Sequence, residues 1–181
     1  MGRSLHNVGL VELGRRNYES AEKYFDETLV VAKGLNYLYG VTTTMMNFGR
    51  LRYYQRRFDE AVDILNQCIV DSENIQHWER SAQADVLIGM CFIEMDKCEI
   101  AHIHFDKAVD EFGDLGKFTS AWYAITLAGL GVIAHRSGDH KQAHELAASA
   151  RKQADLVAET NNIDSAFYIM EFKHWLDEIE S

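Results

Sequence analysis

The stretch NVGLVELGRRNYESAEKYF, residues 7–25, is followed forty residues later by NFGRLRYYQRRFDEAVDIL, residues 47–65. Both stretches contain an early glycine, a basic turn, an aromatic residue and an alanine that precedes a large apolar residue by four positions. A pattern that recurs at a fixed distance indicates an internal repeat. Repeat periods of about 20–50 residues are typical of solenoids and related arrays.

The pattern occurs four times along the chain. The glycines recur at spacings of 40, 40 and 42 residues, an alanine follows each glycine after twelve residues, and a further marker follows that alanine after four. The glycines are Gly9, Gly49, Gly89 and Gly131, the alanines are Ala21, Ala61, Ala101 and Ala143, and the further markers are Phe25, Leu65, Phe105 and Ala147. Each unit predicts two helices joined by a short polar turn. Small residues at fixed points allow the axes of two antiparallel helices to approach to about 8–10 Å.

These positions resemble the tetratricopeptide repeat family over residues 2 to about 160. The resemblance implies an all-α fold, a right-handed α-solenoid of four helix pairs plus a C-terminal capping helix. It implies a single domain over residues 1–181. The expected repeats are about 2–37, 42–77, 82–117 and 124–161, and the expected capping helix is 163–180. Because no cap precedes residue 2, we also expect the chain to be a segment of a longer protein.

The repeat period of 40–42 residues resembles one subclass of this family. That subclass is found in kinesin light chains, Pins-type adaptors and the sensor arms of bacterial signal-transduction ATPases. The likeness implies long second helices, which we expect to end at Gly34, Asn74, Gly116 and Asn161–Asn162. A solenoid needs a cap over its last apolar face. The residues of the capping helix that we expect to pack on the last pair are Phe167, Met170, Trp175 and Ile179.

The charge and the cysteines exclude several classes of protein. The chain has 18 Lys and Arg against 28 Asp and Glu, a net charge of −10, which argues against duplex DNA or an anionic membrane as the main ligand. No apolar run approaches the roughly 20 residues that span a bilayer. Three cysteines without metal-type spacing indicate a reduced, cytoplasmic protein. Association with the cytoskeleton is left open.

No catalytic motif is present in the sequence. His140 and His144 are four residues apart and His135 lies across the preceding turn, but a closed zinc site needs four ligands. The sequence also has no phosphate-binding loop and no nucleophile motif. We therefore predict no enzymatic activity, no metal and no cofactor.

The resemblance implies that the first helix of each pair lines a concave groove. The groove residues that we predict to bind a partner are Asn7, Leu10, Met46, Asn47, Arg50, Tyr53, Tyr54, Val86, Met90, Ile93, Val132 and His135. An Asn side chain can donate to and accept from a peptide backbone, although it can equally hold neighbouring helix pairs together. We expect Asn47 and Arg50 to lie at the surface, so that replacing both leaves the stability nearly unchanged.

Seven apolar side chains of the groove are expected to cover apolar residues of the ligand, with two or three of them packed between repeats instead. These seven are Met46, Tyr53, Val86, Leu87, Met90, Ile93 and Val132. The basic residues Arg50, Arg56 and Arg57 lie close to Tyr53 and Tyr54 in the sequence. Such a cluster can recognise a carboxylate or a phosphate. Single-stranded nucleic acid is a minor alternative, because the other repeats are acidic.

The leading hypothesis is a protein–protein interaction scaffold or adaptor that binds a peptide or an amphipathic helix, with acidic residues, in its groove. The alternative is the regulatory sensor arm of a larger signalling or transcription-regulating protein, which binds a small effector. We also expect self-association through the uncapped N-terminal end, where Leu5, Val8 and Leu29 form an apolar edge.

Overall fold

The computed structural model describes residues 2–117, 120–158 and 173–180, except for the side chains of residues 2, 3 and 158. Within these ranges the chain is helical and has no strand. The helices are α1 (Gly2–Gly14), α2 (Tyr18–Gly34), α3 (Leu38–Tyr54), α4 (Phe58–Asn74), α5 (Trp78–Glu94), α6 (Cys98–Asp114), α7 (Ala121–Arg136) and α8 (His140–Ala158). Residues 173–180 are also helical. The predicted all-α helical-repeat fold is confirmed. Two compact units make up the chain, Met1–Cys91 (unit 1) and Phe92–Ser181 (unit 2).

A single residue with positive φ reverses the chain after most of these helices. These residues are Arg16, Asn36, Arg56, Gln76, Asp96, Gly116 and Gly138. The next N–H donates to the carbonyl five residues earlier, for example Asn17 to Glu12 at 2.9 Å and Lys97 to Phe92 at 2.8 Å. This is the arrangement by which a left-handed residue satisfies the last carbonyls of a helix. It explains how a chain without proline ends its helices within three residues.

In unit 1 the glycines contact the second helix of their own pair. A Cβ atom added at Gly9 would lie 2.6 Å from the Phe25 ring, and one at Gly49 would lie 2.5 Å from Leu65 Cγ. Both partners are completely buried. The helices α1 and α2, α2 and α3, and α3 and α4 pack against each other in sequence. The repeated glycines are therefore where the helices approach closely enough to exclude a side chain, as the spacing predicted.

In unit 2 residues 173–180 fill the space that a large residue fills in unit 1. A Cβ added at Gly131 would lie 2.9 Å from Ile179 Cδ1, because Ala147 stands where unit 1 has Phe25 or Leu65. The ring of Trp175 meets Phe105 edge to face at 6.2 Å. Trp175 and Ile179 are buried, as expected for a capping helix.

The helices begin earlier than the predicted repeats. Helices α3, α5 and α7 start at Leu38, Trp78 and Ala121, three or four residues before the expected starts at 42, 82 and 124. Helices α2 and α4 end at Gly34 and Asn74 as predicted, whereas α6 ends at Asp114, two residues before Gly116. The extra residues of the long period therefore lengthen first helices as well as second helices. The expected helix end at Asn161–Asn162 and the side chains of Phe167 and Met170 lie outside the described residues.

Cys68 is a completely buried thiol in unit 1. Its Sγ donates to the carbonyl of Thr42 at 3.3 Å. Burial raises the pKa of the Cys68 thiol to about 11, above its ordinary value of 9.0, because the thiolate is poorly solvated there. Because the pKa is higher in the folded state than in the unfolded state, the protonated thiol stabilises the fold. This contribution is complete below about pH 9. This contribution is lost as the pH rises towards 11.

We expect the stability of the wild type to fall more steeply at alkaline pH than that of Cys68→Ala. Alanine stands at the same repeat position in Ala108 and Ala150, so this replacement suits the fold. Between about pH 8.5 and 11 the free energy of unfolding of the wild type should fall by about 2–3 kcal/mol more than that of the variant. Urea unfolding at both pH values measures this difference. Parallel losses in the two proteins would show that folding does not raise the pKa of the Cys68 thiol.

Candidate functional site

The predicted groove residues of unit 1 divide into accessible and buried side chains. On α1, Asn7 is exposed and Leu10 is half-buried. On α3, Tyr54 is half-buried, but Asn47 and Arg50 are each only 2% exposed. The expectation that Asn47 and Arg50 lie at the surface is therefore wrong. Replacing Asn47 by Ala and Arg50 by Glu would place a gap and a negative charge in the interior of unit 1, so this double variant is no longer expected to keep the stability of the wild type.

The seven apolar groove residues are all buried, not just two or three of them. Their exposed fractions do not exceed 5%. In unit 1 these residues are Met46, Tyr53, Val86, Leu87 and Met90, and in unit 2 they are Ile93 and Val132. Side chains with so little exposed surface contribute to packing, and a ligand reaches them only if neighbouring side chains move. His135 of unit 2 is half-buried and its ring lies 5.1 Å from that of His140.

Met46 is covered by an arginine that the sequence did not identify as part of the site. Arg80 Nη1 lies 2.9 Å from Met46 Sδ and donates to Gln83 Oε1 at 2.6 Å. Arg80 is half-buried and lies on α5. The repeat pattern contains no signal for this contact, because it depends on how far a long side chain reaches from the next first helix.

Asn47 carries a buried polar atom without a partner. Among the described residues, its Oδ1 is inaccessible to solvent and accepts no hydrogen bond. An unsatisfied buried acceptor costs about 1–3 kcal/mol. Arg50 lies one turn later on the same face of α3, at i+3 from Asn47.

The basic cluster around Arg52 is paired within unit 1. Arg52 Nη2 donates to Glu22 Oε1 at 2.5 Å, and this bond lowers the pKa of the Glu22 carboxyl. Arg57 holds both carboxylate oxygens of Glu60, at 2.7 and 2.5 Å. The guanidinium of Arg56 lies 5.2 Å from the centre of the Phe58 ring. The predicted role of Arg57 in recognising an external carboxylate or phosphate is weakened, because its planar fork already holds a carboxylate of its own chain.

Apolar side chains are exposed on α1. Val8 is 38% and Val11 is 49% exposed, whereas Leu5 and Leu29 are half-buried. Self-association through this helix stays a prediction.

Metal-ligand clusters and membrane-spanning helices are absent from the described residues. These ranges hold no group of three or more His, Cys, Asp or Glu that could bind a metal ion. None of the helices described is both long enough and apolar enough to cross a membrane.

Comparison with known proteins agrees with the repeat pattern. Residues 1–69 match the family model described as Tetratricopeptide repeat. The crystal structure of BtubC (BKLC) from P. vanneervenii is similar in fold, with a TM-score of 0.70 and 16% sequence identity over 98% of this chain and 78% of that chain. At this identity the likeness shows the fold alone. No curated protein matches the chain. Residues 1–69 therefore match the tetratricopeptide repeat, and helices joined by short turns continue to residue 158.

Proposed function

We propose that this chain is a protein–protein interaction module, a scaffold or adaptor segment, that holds a peptide segment of a partner against α1 and α3 of unit 1. Tetratricopeptide repeats generally mediate interactions between proteins, and the family match covers these two helices. The helices contact each other directly. A bound segment can therefore touch both.

The observation that carries the proposal is the unpaired Oδ1 of Asn47. If the amide served only to hold neighbouring helices together, its oxygen would be expected to accept a hydrogen bond within the chain. A backbone N–H of a bound segment would satisfy this acceptor. The atom is covered in the structure, so we expect neighbouring side chains to shift on binding, as side chains at interfaces commonly do.

The residues around Asn47 suggest the chemistry of the segment. Arg50, one turn along α3, contributes a buried positive charge, which favours an acidic residue over a basic one in the ligand. Leu10 and Tyr54 are half-buried and can cover apolar atoms, and Asn7 is exposed at the repeat position that matches Asn47. The proposed ligand is a segment with an acidic residue next to an apolar one.

Asn47→Leu separates binding from folding. Leucine has a similar shape but no acceptor to leave unsatisfied, so the melting temperature should stay the same or rise. Peptides selected on the wild type from a phage-displayed random library should bind Asn47→Leu about tenfold or more weakly, because the bond to the segment is lost. Fluorescence anisotropy with the synthesised peptides measures this affinity.

Asn66→Leu is the matched control, since Asn66 is exposed on α4. Its affinity for the selected peptides should equal that of the wild type. Two results would contradict the proposal: selected peptides that bind Asn47→Leu as tightly as the wild type, and a large fall in melting temperature for Asn47→Leu. The second result would mean that the amide holds the fold.

The cellular setting that we propose is the cytoplasm, and the activity that we propose is binding without catalysis. None of the three cysteines forms a disulfide bond, which fits a reducing compartment. Repeat arrays of this family work through extended binding surfaces.

A further inference from the structure

Two isoleucines on α6 stand where the other repeats have polar residues. Ile100 is 40% and Ile103 is 67% exposed. The residues at the same repeat positions are Ser20 and Lys23 on α2, Glu60 and Asp63 on α4, and Gln142 and Glu145 on α8. All six of these are exposed. These two repeat positions therefore face solvent. Among α2, α4, α6 and α8, only α6 has apolar residues at both of them.

These isoleucines line an open groove of about 780 Å³ in unit 2. The groove, called the α6 groove below, lies among the α5–α6 turn, the first turns of α6 and the C-terminal end of α7. Its residues are 96–100, 102, 103, 133, 136 and 137. Ile133 on α7 adds a third aliphatic side chain to Ile100 and Ile103. A groove with an aliphatic lining of this kind can accept apolar side chains from one face of a helix.

One wall of the α6 groove is held in place by Arg136. Its Nη1 donates to the carbonyl of Ile93 at 3.0 Å, and its Nε and Nη2 donate to the two carboxylate oxygens of Glu178 at 2.8 and 3.2 Å. A bidentate pair of this kind fixes the guanidinium. It also offsets the positive charge of Arg136, so this residue adds little attraction for an anion.

The charge that remains exposed around the α6 groove is mainly negative. The Asp96 side chain is 91% exposed, with its Oδ1 3.8 Å from Arg136 Nη1, and Glu99 is exposed on the first turn of α6. The ammonium of Lys97 lies 5.8 Å from the centre of the Phe92 ring. Across residues 92–181 there are 8 Lys and Arg against 16 Asp and Glu, a net charge of −8. This field attracts a basic partner and repels an acidic one.

We propose that the α6 groove docks a basic amphipathic helix of a partner protein. An apolar face of that helix contacts Ile100, Ile103 and Ile133, and its Lys or Arg residues face Asp96 and Glu99. This surface belongs to a second helix and to unit 2, whereas the peptide site proposed above belongs to the first helices of unit 1. The two proposals stand on different residues and can fail separately.

The test uses two synthetic helical peptides that share one leucine face. The polar face of the first peptide carries lysines and that of the second carries glutamates. In fluorescence anisotropy titrations the wild-type chain should bind the lysine peptide at least tenfold more tightly than the glutamate peptide.

The variant Ile100→Gln with Ile103→Glu introduces the residues that α8 has at these positions, so the fold should be retained. It should bind the lysine peptide about tenfold or more weakly. The variant adds a negative charge, which by itself would strengthen binding of this peptide. A loss therefore isolates the apolar contact. The control is Val70→Asp, which changes another exposed apolar residue, 51% exposed on α4, to the residue that α6 has there as Asp110. It should bind like the wild type.

Cys98 provides a second readout, because it lines the α6 groove and is half-exposed while Cys68 and Cys91 are buried. Saturating lysine peptide should slow the alkylation of Cys98 by iodoacetamide. Equal binding to the double variant, unchanged alkylation of Cys98, preference for the glutamate peptide, or no binding of either peptide would each overturn the proposal. A wild type that dimerises in sedimentation while the double variant stays monomeric would also overturn it, since the occupant would then be a second copy of this chain.

Discussion

Ala101→Arg is expected to abolish cooperative folding of unit 2. Ala101 is completely buried on α6, at the repeat position that Ala61 occupies on α4. Overpacking a core position costs about 1–3 kcal/mol, and a buried charge without a partner adds several more. This total rivals the roughly 5–15 kcal/mol that stabilises a typical domain. Thermal melting followed by circular dichroism should show a transition that is broad, strongly lowered or absent.

Ala148→Arg is the control for this experiment. Ala148 is exposed on α8, and arginine is a favourable residue in a helix. The free energy of unfolding of Ala148→Arg should therefore match that of the wild type to within about 0.5 kcal/mol. A normal transition for Ala101→Arg would mean that α6 does not cross its neighbours at this residue, and that the repeat register is shifted.

Trp175→Ala is expected to cost about 3–5 kcal/mol, the usual loss for a large buried aromatic residue. Trp175 is 1% exposed and its ring meets Phe105 of α6 at 6.2 Å. The same helical segment holds Arg136 through Glu178, so loosening it also frees one wall of the α6 groove. For a chain of this length the melting temperature should fall by roughly 10 °C or more.

His174→Ala tests whether this loss is specific to the buried side of residues 173–180. His174 is exposed and adjacent to Trp175, so its removal should change the melting temperature by no more than about 2 °C. If both variants melt like the wild type, Trp175 does not stabilise the fold and the segment is not a cap.

The repeat spacing alone predicted the close contacts between paired helices in unit 1. Gly9 and Gly49 recur at a distance of forty residues, and each packs against the residue sixteen positions later, Phe25 or Leu65. This success has a physical reason: a helix pair joined by a short turn has few ways to bring its helices together. A residue without a side chain marks where they meet. The helix bounds differed from the prediction, because the repeat pattern does not show where the extra residues of the long period are placed.

The sequence by itself determined the fold class and the register of the helix pairs. It also determined that Asn47 and Arg50 share one face of α3. The tertiary structure decided which of those side chains a partner could reach. Position within a repeat sets the direction of a side chain, but its exposure depends on how far neighbouring side chains extend over it, as Arg80 does over Met46. Long-range contacts of this kind are not periodic. The same reason applies to Ile100 and Ile103, whose groove exists only because the end of α7 lies beside the start of α6.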